Sequence, residues 1–309
     1  MASKPFFSIV IPVFNRADSL VGALESVFTQ TFQEYEVIVV DDGSTDHIDT
    51  VVTSYAKRGL VFLKNPANSG VGPTRNKGVN AAMGRWTIFL DSDSYLLPEA
   101  LSNLKETIAA CDEKVGVVYG RSEQIGRSST FTRVYHEERW DYMQSLRTPY
   151  LEEGLPVART ELLRRFPFEE GLSIKRECGT LVWYEIGRAG FDYVRTDKLI
   201  QKYELSPTGL SGRKFLMENP DEMVVCNQKI IEHFGEDLGR FNRAKLITLH
   251  QKTAFYCLMA GRRNCALHHA QMARKIDPLN MRTWAILVLC WIGPRTARRL
   301  YPLVASVAA

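Results

Sequence analysis

Short hydrophobic runs and longer amphipathic stretches alternate over the first 120 residues of the chain. A run of about 4 to 8 apolar, mainly β-branched residues is typical of a buried strand, and apolar residues three or four positions apart are typical of a helix with one buried face. Five strands are predicted on this basis, at residues 7–13, 35–40, 60–63, 86–90 and 115–119. Four helices are predicted between them, at residues 20–28, 49–55, 74–82 and 98–110.

This alternation predicts an α/β protein in which helical crossovers join parallel strands and cover both faces of the sheet. Ligands of such sheets bind beyond the carboxyl ends of the strands. Two of the predicted strands end in acidic clusters, Asp41-Asp42 and Asp91-Ser92-Asp93. The residues with the most evident chemistry therefore coincide with the expected binding edge. Further along the chain, residues 121–215 are less regular, and the pattern becomes helical from about residue 216.

The Asp91-Ser92-Asp93 cluster places two carboxylates one residue apart at a strand end. Carboxylate oxygens suit Mg²⁺ or Mn²⁺, and such ions keep coordination positions open for the oxygens of a diphosphate. Taken alone, the same residues also fit a solvated turn whose aspartates cap a helix. The cluster therefore indicates a diphosphate site only in combination with other motifs.

Two further loops have the composition of a nucleotide site. Gly43 permits a tight turn after Asp42, whose carboxylate can accept hydrogen bonds from a uracil-type ring or a ribose hydroxyl. The alternative is an ordinary turn with Ser44 as the N-cap of the next helix. Residues 68–78 combine glycines, which admit a ligand close to the backbone, with a helix N-terminus that favours anions. Their spacing fits neither a Walker loop nor a dinucleotide-binding fingerprint.

Four segments in a fixed order carry a family resemblance: Ser-Ile-Val-Ile-Pro-Val-Phe-Asn (8–15), Val-Val-Asp-Asp-Gly-Ser-Thr-Asp (39–46), Asn-Ser-Gly followed by Arg-Asn-Lys-Gly (within 68–78), and Gly-Arg-Trp-Thr-Ile-Phe-Leu-Asp-Ser-Asp-Ser (84–94). The chain resembles the family-2 inverting glycosyltransferases of the GT-A fold. The resemblance is close over residues 6 to about 120 and looser to about residue 213.

The resemblance implies a division of the chain. A GT-A domain is expected over residues 1–215, with a mainly parallel central sheet flanked by helices. Its nucleotide-binding half covers about residues 1–120 and its acceptor half about residues 121–215. Residues 216–309 are expected to form a C-terminal helical extension. In the acceptor half, Trp140, Trp183 and Tyr184 are candidates either to stack on a sugar or to pack in the core.

The resemblance also implies roles for single residues. Those expected to contact the nucleotide are Pro12, Val13 and Asn15 in the first loop, Asp42 on the base, Arg75 near the base, and Asp91 on the ribose side. Asp93 is expected to bind Mg²⁺ or Mn²⁺ that bridges to the diphosphate. Ser94 departs from the family pattern, since many relatives carry a further Asp there.

An inverting transferase needs a carboxylate that removes the proton of the acceptor hydroxyl. Relatives often place this base in a Glu-Asp pair ahead of a helix that ends in Arg-Ala-Gly. Glu177 is the best match, although Cys178 stands where Asp is common. Glu169 and Glu170 remain alternatives, and so does a structural role for Glu177 at a helix end.

The composition narrows the class of protein. The formal net charge of +4 and pI of about 8.7 suit an anionic substrate or membrane face, and they fall far short of a dedicated nucleic-acid binder. The six cysteines form no C-x-x-C pair, which argues against a zinc site and predicts buried free thiols in a reducing compartment. The six histidines lack metal-ligand spacing. The first residues lack the layout of a signal peptide, which favours a cytoplasmic protein.

These observations predict an inverting, metal-dependent glycosyltransferase that moves a sugar from a nucleotide-sugar donor to a glycan or glycolipid acceptor, in the manner of bacterial surface polysaccharide synthesis. One alternative is a sugar nucleotidyltransferase, but its Gly-rich signature is expected where residues 12–16 stand. Another is a non-catalytic protein that binds nucleotide sugars. The apolar run 285–292, followed by Arg295, Arg298 and Arg299, leaves peripheral contact with the inner face of the cell membrane open.

Overall fold

The structure is a computed structural model that describes residues 4–125, 138–147, 154–172, 174–176, 178–204 and 213–292. The chain divides into two compact units, Met1–Ser206 and Pro207–Ala309. Each unit has its own buried apolar core, and each is described separately below.

The first unit contains one β-sheet, and helices connect many of its strands in sequence. Its described strands are β1 (Phe7–Val13), β2 (Tyr35–Asp41), β3 (Val61–Lys64), β4 (Trp86–Phe89), β5 (Ser94–Leu96), β6 (Val115–Gln124), β7 (Glu138–Trp140), β8 (Leu155–Arg159) and β9 (Asp192–Tyr203). Its described helices are α1 (Ala17–Phe28), α2 (Ile48–Tyr55), α3 (Val71–Ala81), α4 (Ala100–Ala109), α5 (Tyr142–Arg147), α6 (Thr160–Arg165) and α7 (Gly179–Arg188). All five predicted strands and all four predicted helices are present, with shifts of a few residues at their ends.

The strands form one mixed sheet in the order β3-β2-β1-β4-β8-β6-β9-β5, and β7 pairs with β9 outside this path. The four strands β3, β2, β1 and β4 are parallel, as the alternating pattern predicts. Strand β8 runs antiparallel to both β4 and β6, and β5 and β7 run antiparallel to β9. The mixed part of the sheet therefore lies on the far side of β4 from β1.

Burial explains why the first strand forms where it does. Every residue of β1 is buried except Pro12, which is partly exposed. Strands of a parallel sheet are covered on both faces and read as continuous apolar runs, as this one does. Helix α1 adds Leu20, Leu24 and Val27 to the same core from one face. Local sequence and packing therefore agree over this part of the molecule.

The starts of all four predicted helices differ from the predictions by one to three residues, and two of these starts bear on residues discussed above. Helix α3 begins at Val71 rather than Thr74, and Pro73 falls in its first turn, where a backbone N–H has no intrahelical partner to lose. The suggested N-cap role of Ser44 is wrong, because α2 begins only at Ile48. The Ser44 hydroxyl instead accepts a hydrogen bond from the backbone of another loop.

The three aromatic residues that were candidates to stack on a sugar are core residues. Trp140, Trp183 and Tyr184 are 5%, 7% and 1% exposed. The Trp140 ring lies 6.0 Å from that of Tyr119 and 5.9 Å from that of Tyr193, measured between centroids. A side chain buried to this degree has no face free for a sugar, so the core-packing alternative applies.

The second unit is helical over its described residues. Its helices are α8 (Arg213–Glu218), α9 (Pro220–Phe241), α10 (Arg243–Met259), α11 (Arg263–Ile276) and α12 (Met281–Ile292). Its core is built from small and medium apolar side chains of α9 to α12, including Val224, Ala254, Leu258, Ala270 and Ile286. None of the described helices is both long enough and apolar enough to cross a bilayer.

The prediction of six free thiols is wrong for two of the cysteines. Cys257 and Cys265 form a disulfide, with their Cα atoms 5.9 Å apart. They lie on α10 and α11, on either side of the turn at Gly261, so the chain reversal brings them together. Sequence spacing alone does not reveal such a reversal. The other four cysteines are outside this disulfide: Cys178, Cys226 and Cys290 are buried, and Cys111 is partly exposed.

The packing of α3 on β1 depends on the absence of a side chain at Gly78. A Cβ atom at this position would collide with Cγ1 of Val10 and lie 3.1 Å from its Cγ2. Val10 is fully buried and cannot move aside freely. We expect Gly78→Ala to lower the free energy of unfolding by about 1–3 kcal/mol, as overpacking typically does. Denaturant unfolding followed by circular dichroism measures the change.

Gly235→Ala is the matched control within a helix. A Cβ at Gly235 would meet only Ile231, at an ordinary 3.6 Å, and alanine favours a helix interior by about 0.5–1 kcal/mol over glycine. The control should therefore be neutral or stabilising. Equal unfolding curves for Gly78→Ala and the unchanged protein would contradict the close packing of α3 on β1.

Candidate active site

The carboxyl ends of β1, β2 and β4 bring three loops of the chain to one edge of the sheet. The loop after β1 carries residues 14–16, the loop after β2 carries residues 42–47, and the loop after β4 carries residues 90–93. Because β1 pairs in parallel with both other strands, these loops are neighbours. All the polar residues predicted for the nucleotide and the metal, except Arg75 on α3, lie in these three loops.

Asp42 is buried, at 4% exposure, and both its carboxylate oxygens accept hydrogen bonds. Its Oδ1 accepts from the backbone N–H of Ser69 (2.9 Å), the Ser69 hydroxyl (2.8 Å) and the Asn65 amide (2.9 Å). Its Oδ2 accepts from the backbone N–H of Gly70 at 2.9 Å. Among the described residues, Oδ2 receives one donor against three at Oδ1, so Oδ2 keeps acceptor capacity in reserve. Asp42 therefore fixes the loop that leads into α3 and retains some capacity for a ligand.

Asn15 joins the loop after β1 to the loop after β2 by hydrogen bonds. Its φ of 50° is the left-handed conformation, which Asn tolerates better than most residues. Its backbone N–H donates to the Ser44 hydroxyl at 2.8 Å, and its side-chain Oδ1 accepts from the backbone N–H of Thr45 at 2.8 Å. These paired contacts set the spacing of the two loops that the sequence predicts around a nucleotide base.

The other predicted residues of the first loop differ in exposure. Pro12 is partly exposed, whereas Val13 is 2% exposed and its side chain belongs to the core. The backbone carbonyl of Val13 accepts a hydrogen bond from the N–H of Asp42 at 2.8 Å. Only the backbone of Val13 therefore faces this loop. Phe14, which the sequence analysis did not single out, is 41% exposed at the same edge.

Arg75 joins α3 to the acidic cluster after β4. Its guanidinium donates to Asp91 Oδ1 at 3.0 Å and packs against the rings of Phe89 (5.0 Å) and Phe168 (5.7 Å), measured to the centroids. Arg75 is 9% exposed, and the Asp91 side chain is 60% exposed. The pair is thus half-buried, with the arginine held by aromatic faces and one carboxylate turned toward solvent.

Asp93 forms an ion pair with Arg16, whose Nη1 donates to its Oδ2. The two side chains are 24% and 27% exposed. Arg16 lies in the loop after β1, so this contact ties the β1 and β4 loops together. The sequence analysis missed Arg16. A basic residue one position after Asn15, in a loop expected to face a carboxylate cluster, was the available signal.

The donor set of this edge fits a divalent cation that also binds substrate oxygens. Asp91 and Asp93 supply oxygen ligands, and the Arg16 guanidinium shows that Asp93 accommodates a positive charge. Among the described residues, no group of three or more His, Cys, Asp or Glu side chains is arranged to hold a metal ion. Mg²⁺ and similar ions commonly bind through one or two carboxylates and complete their shell with phosphate oxygens and water. Asp93 is therefore suited to an ion that arrives with a diphosphate.

The predicted base, Glu177, lies outside the described residues. Its described neighbours approach α3: the backbone carbonyl of Lys175 accepts from the N–H of Val71 at 3.0 Å. A Cβ atom on Gly70 would lie 2.9 Å from the carbonyl oxygen of Ile174. Residues 174–176 thus pass close to the N-terminus of α3, beside the loop that Asp42 holds.

The alternative bases lie in a turn that α3 also holds. Asn76 donates from Nδ2 to the Phe168 carbonyl (2.8 Å) and to Glu170 Oε1 (2.7 Å), and its Oδ1 accepts from the Phe168 N–H (2.9 Å). Glu169 is partly exposed and Glu170 is exposed. One oxygen of the exposed Glu170 carboxylate is therefore held by Asn76.

The sequence profile described as Glycosyl transferase family 2 matches residues 8–172, more than half of the chain. The chain belongs to glycosyl transferase family 2. The matched range includes the three loops and α3, so this family-2 glycosyltransferase carries the residues predicted for the nucleotide and the metal inside the region that defines the family. The predicted base, at position 177, lies beyond that region. Family and fold together support a transferase activity.

Similar proteins extend the comparison over nearly the whole chain. The succinoglycan biosynthesis protein ExoO of Rhizobium meliloti (strain 1021) is 23% identical over 96% of this chain and 89% of its own length. The S. aureus TarS fragment 1–349, solved in complex with UDP-GlcNAc, superposes with a TM-score of 0.65 and 20% identity, over 96% of this chain and 91% of that one. The mannosyltransferase PcManGT from Pyrobaculum calidifontis, solved with GDP-Man and Mn²⁺, gives a TM-score of 0.59 and 18% identity, over 98% and 85% of the two chains. These likenesses show that the family-2 glycosyltransferase has the predicted GT-A fold with a helical C-terminal region.

The Arg16–Asp93 ion pair leads to a prediction about the affinity of the protein for Mn²⁺. A divalent ion bound at Asp93 would compete with the Arg16 guanidinium for the same carboxylate, so removal of the arginine should strengthen the binding of Mn²⁺ in the absence of donor. We expect Arg16→Ala to raise the association constant for Mn²⁺ by roughly threefold or more, in line with the modest energy of a partly exposed ion pair. Calorimetric titration with Mn²⁺ measures it.

Arg58→Ala is the control, because it removes an arginine from another ion pair, with Glu25, which is more exposed than the Arg16–Asp93 pair. It should leave Mn²⁺ affinity unchanged. A result in which Arg16→Ala and Arg58→Ala bind Mn²⁺ alike would mean that Arg16 does not compete for the metal-binding carboxylate.

Proposed function

We propose that this protein is an inverting glycosyltransferase, dependent on Mg²⁺ or Mn²⁺, that moves a sugar from a nucleotide-sugar donor to a hydroxyl group of a glycan or glycolipid. The observation that carries the proposal is the gathering of Asp42, Asp91 and Asp93 at one edge of the sheet. ExoO is named for succinoglycan biosynthesis, which supports a role in bacterial surface polysaccharide synthesis. The neighbours solved with UDP-GlcNAc and GDP-Man support a nucleotide-sugar donor.

The proposed catalytic domain covers residues 1–215, with residues 216–309 as the helical extension. In the nucleotide-binding half of this domain, the nucleobase of the donor is proposed to lie against the loop of Pro12 and Asn15, near Asp42. The reserve acceptor site on Asp42 Oδ2 suits an N–H of a pyrimidine ring. Phe14 adds an exposed aromatic ring, which is suited to stacking on a base.

The ribose and the diphosphate are proposed to lie between Asp91 and Asp93. The exposed Asp91 carboxylate can accept hydrogen bonds from ribose hydroxyls. Asp93 is proposed to hold the divalent ion, which neutralises charge on the leaving diphosphate when bound. Arg16, once released from Asp93, lies beside the same diphosphate, and a guanidinium binds phosphate oxygens in a bidentate manner. Two residues of this chain would thus orient the leaving group.

The proposed base is Glu177. Its carboxylate would take the proton of the acceptor hydroxyl as that oxygen forms a bond to the anomeric carbon of the sugar. The bond between the anomeric carbon and the diphosphate oxygen breaks, and its electron pair leaves with the nucleoside diphosphate. Inversion follows because attack comes from the side opposite the leaving group. The path of residues 174–176 beside α3 supports a base that comes from a segment separate from Asp91 and Asp93.

The protein is proposed to act in the cytoplasm, at the inner face of the cell membrane, where lipid-linked acceptors are accessible. The C-terminal helices are the proposed contact.

The metal proposal predicts the effect of Asp93→Ala. This variant should remain folded and lose metal-dependent binding of nucleotide-sugar donors, because the ion loses its protein ligand. Thermal shift with UDP- and GDP-sugars, with and without Mn²⁺, measures the effect. Asp18→Ala, which removes a carboxylate exposed to 94%, is the control and should bind donor normally. Full transfer activity in the presence of EDTA would refute metal dependence.

The base proposal predicts that Glu177→Gln binds donor and Mn²⁺ but loses roughly 10²-fold or more in turnover, as removal of a general base typically does. Release of nucleoside diphosphate from the donor, coupled to a colorimetric assay, gives the rate. Glu169→Gln and Glu170→Gln are matched controls from the neighbouring turn and should cost much less. Near-full turnover of Glu177→Gln with collapse of one control would move the base to residue 169 or 170.

A further inference from the structure

Helix α12 is apolar on two sides. Thr283, Ile286, Leu287, Leu289 and Cys290 are buried against the core of the second unit. The opposite side exposes Met281 (80%), Trp284 (43%), Val288 (53%), Trp291 (73%) and Ile292 (54%), which together are termed the α12 apolar face. A helix that is hydrophobic all round normally lies in a core or in contact with lipid.

The α12 apolar face stands out from the rest of the surface. Half of the large apolar side chains that are exposed among the described residues fall between residues 279 and 292. Scattered exposed apolar residues are ordinary, whereas a contiguous group marks an interaction surface. Its members are spaced at intervals of three, four or seven along the helix, so they form one continuous strip.

The charges beside this strip indicate what covers it. The Arg263 guanidinium lies 5.5 Å from the ring centroid of Trp291, and that of Arg274 lies 5.4 Å from the ring centroid of Trp284. Residues 263–309 contain seven Lys or Arg and one acidic residue, whereas residues 1–262 contain two more acidic than basic residues. The net positive charge of the protein therefore comes from the part of the chain that carries the α12 apolar face.

We propose that the α12 apolar face docks on an anionic lipid bilayer surface, with Trp284 and Trp291 at the level of the headgroups and Arg263 and Arg274 against lipid phosphates. Tryptophan is enriched at membrane interfaces, and clustered basic residues bind anionic leaflets. At about 1.5 Å per residue, the 12 residues of α12 are far too short to span the roughly 30 Å hydrocarbon layer. The helix therefore lies along the surface. The docking proposal identifies the partner of the peripheral contact named under the proposed function. It rests on the proposed function only for the location of the protein in the cell.

The test uses the full chain and vesicles of phosphatidylcholine, alone or with one quarter phosphatidylglycerol. Co-flotation should be strong with the anionic vesicles and weak with the neutral ones. The double variant Trp284→Ser/Trp291→Ser should lose roughly tenfold or more in partition coefficient, because two exposed indoles no longer enter the interface. The control Val21→Ser/Met83→Ser removes two exposed apolar side chains of the first unit and should bind as the unchanged protein does.

Tryptophan fluorescence gives a second readout. Trp86, Trp140 and Trp183 are buried, so a blue shift on addition of anionic vesicles reports Trp284 and Trp291 and should be absent in the double variant. Equal flotation of the double variant and the control would overturn the proposal. So would equal binding to neutral and anionic vesicles, or a double variant that changes only self-association, because the strip would then be covered by a second copy of this chain.

Donor turnover in solution separates this inference from the proposed function. The double variant should turn over donor at the normal rate, since its substitutions lie outside the candidate active site. A protein that binds anionic vesicles through Trp284 and Trp291 but never turns over a nucleotide sugar would refute the proposed function alone. Normal turnover without vesicle binding would refute the docking alone.

Discussion

A buried carboxylate must be surrounded by donors, and the candidate site depends on how Asp42 meets that requirement. Burial of an unpaired charge costs several kcal/mol in a protein interior, in order-of-magnitude terms. Asp42 avoids this cost by accepting hydrogen bonds from Asn65, Ser69 and Gly70, which lead directly into α3. The end of β2 and the start of α3 are therefore fixed to one another. The side chains that α3 carries are thus positioned, at the N-terminal end of the helix, by Asp42.

Helix α3 then connects the loop after β4 to the turn that contains Phe168. Successive residues on a helix point about 100° apart, so Arg75 and Asn76 reach different loops. Arg75 holds Asp91, and Asn76 holds the backbone of Phe168. Because α3 contacts both loops through polar side chains, some of its buried positions are polar. Helix α3 therefore lacks a clear apolar face, although it lies against the central strand β1.

The sequence predicts the order of the first strands well, because parallel strands covered on both faces must be apolar throughout. It also brings Asp42, Asp91 and Asp93 to one edge, since the strand ends are visible in the pattern. It does not predict which side chains bind these carboxylates. Arg16 is 77 positions from Asp93, and nothing local to either residue encodes their contact. The antiparallel β8 escapes prediction for the same reason, because strand direction there depends on a long-range connection.

The geometry of Asn15 sets a limit on how this loop can evolve. Glycine would keep the left-handed backbone but lose the amide oxygen that receives the Thr45 N–H. Aspartate would keep an acceptor and tolerate the backbone, yet it would add a negative charge to an edge that already carries several. A β-branched residue would strain the backbone and lose the contact as well. Asparagine meets both demands without adding a charge, so divergence in this family-2 enzyme should spare residue 15.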